Sequence, residues 1–141
     1  MRANVARIRE ARGMTKKQLA DRTEELGRPI PPLGVSRIEA GTRRVDVDDL
    51  AALAVALRVS PITLLLPWTD RFDDAVEVTA AGTVQAAVAW SWADGHLPAN
   101  PSNLDDEKRF ILDSRPEWAR GGLSFGLTDR FKTRFAGGGG I

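Results

Sequence analysis

Apolar side chains recur every three to four residues through the first half of the chain, and glycine, proline and capping residues separate one such stretch from the next. Val5, Ile8 and Ala11, interleaved with Arg7, Arg9 and Glu10, make one face of a helix over 5–12 that Gly13 stops. Thr15-Lys16-Lys17-Gln18 has the form of a capping box, so a second helix begins at Lys16, and Leu19, Ala20, Thr23 and Leu26 carry it to Gly27. Pro29 and Pro31 force a turn over 27–31. Pro32 then opens a third helix, since the first helical position needs no N–H; Val35 and Ile38 face inward and Gly41 ends it after Ala40. Asp46 caps a fourth helix whose acidic first turn suits the dipole and whose apolar face is Leu50, Leu53, Ala54 and Leu57, up to Arg58. Ser60-Pro61 opens a fifth, Ile62 to Leu66, which Pro67 closes.

Beyond Pro67 the pattern weakens. Thr83 reads as the cap of a helix over 83–94 with Val84, Ala87, Val88, Ser91 and Trp92 on one face and Gly95 as its stop. On that reading Trp92 is core and Trp90 points off the face. Residues 97–103 are loop by composition, and 108–113 form a short strand or helix. The expected fold is all-α: a five-helix unit over 1–67, a small and partly irregular accessory or dimerisation region over 68–120, and a flexible, Gly-rich basic tail over 121–141.

Net charge over the 141 residues is only +1, but charge is partitioned. Residues 1–44 hold eleven Arg and Lys against five acids, whereas residues 67–107 hold Arg71 alone against eight acids. A basic head meets polyanions; an acidic middle does not. With no cysteine, disulfides, thiolate metal sites and Cys nucleophiles are excluded, and a reducing cytoplasm is the expected compartment. The first residues lack the apolar run of a signal peptide, and no later stretch reaches membrane-spanning length. His96 stands alone in a loop, and Asp105-Asp106-Glu107 lacks the glycine-centred spacing of a calcium loop and reads as a solvated stretch, so no metal and no cofactor is expected. No nucleophile elbow, activated pair or phosphate-cradling glycine loop is present, and the chain reads as a non-enzyme.

Five short helices, with Ile8-Arg9-Glu10-Ala11-Arg12-Gly13-Met14-Thr15, Gln18-Leu19-Ala20, Val35-Ser36-Arg37-Ile38-Glu39-Ala40-Gly41, and Leu50 through Leu57 followed by Val59-Ser60, resemble the Cro/cI (Xre-like) helix-turn-helix regulators over residues 3–66. The resemblance implies a lambda-repressor-like DNA-binding domain whose third helix lies in the major groove while the second crosses the phosphates. By family position Pro32, Leu33, Ser36 and Arg37 fall at base edges, and Lys16, Lys17, Thr42, Arg43 and Arg44 near phosphates. The family also often pairs an arginine at the position of Arg9 with a glutamate at that of Glu39. Three departures stand out: residues 24–28 look inserted, so that the second helix runs longer or the turn bulges; Pro31-Pro32-Leu33-Gly34 replaces polar side chains; and Arg58 stands where a left-handed glycine is common.

The function implied is a transcriptional regulator, a repressor acting as a homodimer on double-stranded DNA. A rival of a different class is an antitoxin-like protein whose acidic, Trp-bearing region 67–118 binds another protein, with DNA binding used for autoregulation. The basic run Arg130-Phe131-Lys132-Thr133-Arg134-Phe135 reads as a disordered, solubilising end rather than a nucleic-acid arm.

Overall fold

The structure is a computed structural model that describes residues 1–100 and 102–120; the expected tail over 121–141 lies outside the described residues. The described chain is largely α-helical and divides into two compact units, the first Met1–Trp68 and the second beginning at Thr69.

The first unit contains α1 (Arg2–Ala11), α2 (Lys16–Glu25), α3 (Pro32–Ala40), α4 (Val47–Ala56) and α5 (Pro61–Leu65). Val5, Leu19, Val35, Leu53, Leu57 and Leu64 are completely buried, and Ile8, Ile30 and Ile38 nearly so, each drawn from the apolar face of its helix or from the turn before α3. Burial of an aliphatic side chain contributes about 1.5–3 kcal/mol, so this cluster is what holds five short helices together. The α1 helix starts earlier than its apolar period suggests because a polar residue is part of the packed face. Asn4 is buried, and its side-chain amide donates to the carbonyls of Leu64 (3.2 Å) and Leu66 (2.6 Å) at the end of α5. Arg7, one turn along, lies over the ring of Trp68 at 4.2 Å.

Side-chain and backbone bonds define both ends of α2. Thr15 accepts from the Gln18 N–H and Gln18 Oε1 from the Thr15 N–H, closing the capping box. At the other end α2 stops after Glu25, so that Glu24 and Glu25 remain helical and the turn begins at Leu26. Gly27 takes φ 80°, the Gly27 and Arg28 N–H groups bond back to Glu24 and Thr23, and the buried Thr23 hydroxyl accepts from the Ile30 N–H at 3.1 Å. The helix ending at Ala56 repeats this geometry without glycine, with Arg58 held at φ 51°.

The second unit departs from the sequence reading, first at residues 83–85. Residues 83–85 are not the first turn of a helix but a strand: β1 (Ala75–Val78) pairs antiparallel with β2 (Gly82–Gln85), Val76 opposite Val84, across a turn at 79–81. Only then does α6 (Ala86–Ala93) begin. The hairpin strands pack on α6, whose buried face is Ala86, Ala87 and Ala89, so that Trp92 is exposed rather than core and Trp90 is half-buried. Residues 104–114 form α7 (Leu104–Ser114), capped by Asn103 on the Asp106 N–H, which resolves the strand-or-helix alternative and places Asp105, Asp106 and Glu107 in a helical first turn. Glu107 is buried there rather than solvated. The guanidinium of Arg115 bonds the Gly95 carbonyl at 3.1 Å and those of Asp94 and Ala119, tying the loop after α6 to the end of α7.

A left-handed non-glycine residue costs about 1–2 kcal/mol, and only part of this is offset by the unfolded-state entropy that glycine adds. Because the Arg12 contact at this corner is to the Arg58 carbonyl and survives truncation, Arg58→Gly is expected to stabilise the protein by about 0.5–1 kcal/mol, read from urea unfolding followed by helical circular dichroism. A loss of stability would show that the Arg58 side chain outweighs the backbone strain.

Candidate nucleic-acid interface

The α3 helix is amphipathic in a way that leaves one face for another molecule. Gly34, Val35 and Ile38 are buried, whereas Pro32, Leu33 and Arg37 are exposed and Ser36 half-buried. Positions 32, 33, 36 and 37 share one side of a 3.6-residue helix, so the sequence-expected base-facing residues do lie together. Leu33 is 60% exposed, an apolar side chain held out in water at the N-terminal end of this face. Among the described residues, Arg37 and Arg44 enter no ion pair.

The residues expected at phosphates divide. Thr42 and Arg44 are exposed in the loop after α3, and Lys16 and Lys17 at the start of α2. Lys17 pairs with Asp21 at 2.8 Å, one helical turn on, and Lys16 lies 3.7 Å from Glu39. Arg43 differs: its guanidinium turns inward to Asp49 at 2.9 Å. Arg2, which the sequence pattern did not single out, lies against the left-handed turn at Gly41, where a Cβ would come within 2.5 Å of its Nη1. Its signal was weak, a single exposed arginine ahead of the first apolar residue.

Beneath the exposed face sits an ion pair that fixes it. Arg9 Nε donates to Glu39 Oε1 at 2.6 Å and Arg9 Nη2 to Glu39 Oε2 at 3.0 Å, while Nη1 donates to the Met14 carbonyl at 2.8 Å. Both side chains are 8% exposed. Hydrogen bonding to Glu39 holds the Arg9 guanidinium further above its already high ordinary range, and bonds to Asp49 and to Asp21 do the same for Arg28 and Lys17. Asp46 is shifted the other way. The Asp49 backbone N–H, at 2.7 Å, and then the Arg28 charge hold its carboxyl below the usual range.

Residues 5–64 match the helix-turn-helix family. This segment is a helix-turn-helix domain of the Cro/cI type. No curated protein and no solved structure matches the chain. The first unit is therefore a DNA-binding domain of the kind found in transcriptional regulators, a regulatory rather than a catalytic module. Among the described residues no cluster of three or more His, Cys, Asp or Glu is placed to hold a metal ion, and no helix is long and apolar enough to cross a membrane.

Two tests follow from the ion pairs around the helix-turn-helix. Arg9→Ala leaves the Glu39 carboxylate buried with only Lys16 nearby, and is expected to destabilise the domain by about 3 kcal/mol in urea unfolding; a loss under about 1 kcal/mol would mean that water replaces the guanidinium at no cost. For Asp46, a depressed folded pKa means that its stabilisation is complete above the ordinary carboxylate range and disappears as pH falls through the folded value. Asp46→Asn keeps a capping oxygen but no charge. It should be less stable than wild type at pH 7, with the difference gone near about pH 2, when thermal unfolding is followed at both; a constant difference would contradict this.

Proposed function

We propose that the chain is a sequence-specific repressor that reads its operator through α3. The observation that carries this reading is the state of Arg37. It projects from the exposed face of α3 without an ion pair among the described residues, on a helix otherwise fixed by the buried Arg9–Glu39 pair. A guanidinium so presented can bond the O6 and N7 of one guanine together, giving about 1–3 kcal/mol of discrimination. Ser36 adds a hydroxyl, and Pro32 and Leu33 add apolar contact of the kind that suits a thymine methyl. Lys16, Lys17, Thr42 and Arg44 surround this face as phosphate contacts and set register rather than sequence. With so few polar groups on the face, DNA shape contributes to selection as well.

In this reading two copies bind a palindromic operator with half-sites about 34 Å apart, and occupancy of a promoter blocks polymerase. The protein acts in the cytoplasm, at the nucleoid. A second reading is favoured by the apolar surface of the second unit, where Trp118 is 86% exposed and Leu104, Leu112 and Trp92 are also exposed. Tryptophan is enriched where one protein meets another, and Trp92 and Trp118 support an antitoxin-like partner-binding role for 67–118.

Selection from pooled random duplexes at near-physiological salt tests both. Enrichment of a palindromic site by the wild type, with loss of preference at one base pair and about tenfold weaker site affinity for Arg37→Ala, supports operator reading. Binding that is only salt-sensitive, with no site enriched, rejects it and leaves partner binding as the leading function.

A further inference from the structure

Where α3 gives way to α4, one buried carboxylate holds two arginines. The Asp49 side chain is 4% exposed; its Oδ1 accepts from Arg28 Nε and its Oδ2 from Arg43 Nη2, each at 2.9 Å. Arg28 also donates from Nη2 to Asp46 Oδ2 at 2.6 Å. Arg28 belongs to the turn before α3 and Arg43 to the loop after it, so a single residue of α4 grips both ends of the helix that presents Arg37. Asp46 and Asp49 pair with both guanidiniums, although Arg28 and Arg43 count toward the basic surplus of residues 1–44.

The absence of a side chain at Gly34 is part of the same arrangement. A Cβ there would lie 2.5 Å from Arg43 Nη1, 3.2 Å from Ile30 Cγ2 and 3.3 Å from Pro31 Cδ. The Arg43 guanidinium therefore reaches Asp49 by passing over the one position of α3 that has no Cβ. A glycine inside a helix costs about 1 kcal/mol relative to alanine, so local helix stability does not explain its presence, whereas the path of Arg43 does.

We propose that Asp49 is a positioning residue that sets the selectivity of DNA reading. By holding Arg28 and Arg43 it fixes both ends of α3, and it keeps two guanidiniums from acting as mobile phosphate ligands. The inference rests on α3 being the reading helix, as argued above. Its two consequences are separable. A phosphate-bound cation strengthens binding to every duplex and adds about 0.9 to the salt slope, so release of the arginines appears as a steeper slope. Loss of a fixed reading helix appears instead as a lower ratio of operator to random affinity, because base-edge contacts need alignment that phosphate contacts do not.

The experiment measures affinity for the selected site and for a random duplex, from about 50 to about 200 mM salt, using the full chain as wild type, Asp49→Asn, Gly34→Ala, and Asp49→Asn combined with Arg43→Ala. Asp49→Asn is expected to steepen the random-duplex slope by about one to two units and to lower the affinity ratio about tenfold. Gly34→Ala, which displaces Arg43 while leaving Arg28 on Asp49 and also presses on Ile30 and Pro31, should steepen it by about one unit, and adding Arg43→Ala to Asp49→Asn should take back about the same amount. If Asp49→Asn does not fold, Gly34→Ala carries the slope measurement by itself. Unchanged slopes in both variants, or operator and random affinity falling in parallel, would overturn the proposal and leave Asp49 a purely structural residue. A wild type that selects no site removes the reading of α3 and this inference with it; a wild type that selects one while the variants keep its slope removes the inference alone.

Discussion

A bidentate pair between Arg9 and Glu39, both side chains almost out of water, joins the first helix of the domain to the third. Two charges are costly to bury, and their attraction repays that cost only when the remaining hydrogen-bonding capacity is also used. Here it is: the third guanidinium nitrogen goes to the Met14 carbonyl and the second Glu39 oxygen also faces Lys16. Apolar residues in their place would pack as well without dictating an angle. The directional pair fixes the rotation of α3 about its own axis, and that rotation decides whether Pro32, Leu33, Ser36 and Arg37 face outward together.

Around this pair the polar side chains of the domain act mostly on backbone that would otherwise be unsatisfied. Thr23 serves the N–H of Ile30 inside the α2–α3 turn, Asn4 the last carbonyls of α5, and Asp46 the N-terminus of α4. Buried polar atoms without partners cost about 1–3 kcal/mol each. In a domain of five short helices there are many helix ends for each core residue, and side chains reaching across from other elements meet the need.

What was legible in the sequence follows from the range of the forces involved. Capping boxes, first-position prolines and left-handed glycines act within four residues, so Thr15–Gln18, Pro32 and Gly41 mark the starts and stops of α2 and α3 directly. The hairpin of the second unit is obscured because Thr83-Val84 also fits a helical cap and face; the alternation Val76-Glu77-Val78 against Thr83-Val84-Gln85 around Gly82 carries the strand period. The exposure of Trp92 is hidden with it, because the strands pack on α6 where Ala86, Ala87 and Ala89 are buried, and the helical period alone does not say which side is covered. The exposed face of α3 followed from periodicity and family position. The inward turn of Arg43 did not, because its partner Asp49 reads locally as one more carboxylate at a helix N-terminus, and nothing in the spacing announces that it is buried.

The bonds from Asn4 to the carbonyls of Leu64 and Leu66, reinforced by Arg7 against Trp68, join the two ends of a segment of more than sixty residues. Such a closure has a consequence for the order in which the chain is made. A nascent chain that has emerged only through α4 has its first helix without a partner for Asn4 and its Val5 face without Leu64. The domain therefore cannot complete its core one helix at a time during synthesis. It closes only when the fifth helix has emerged, so the exposed face of α3 takes its final setting once residues through Leu66 are free to pack.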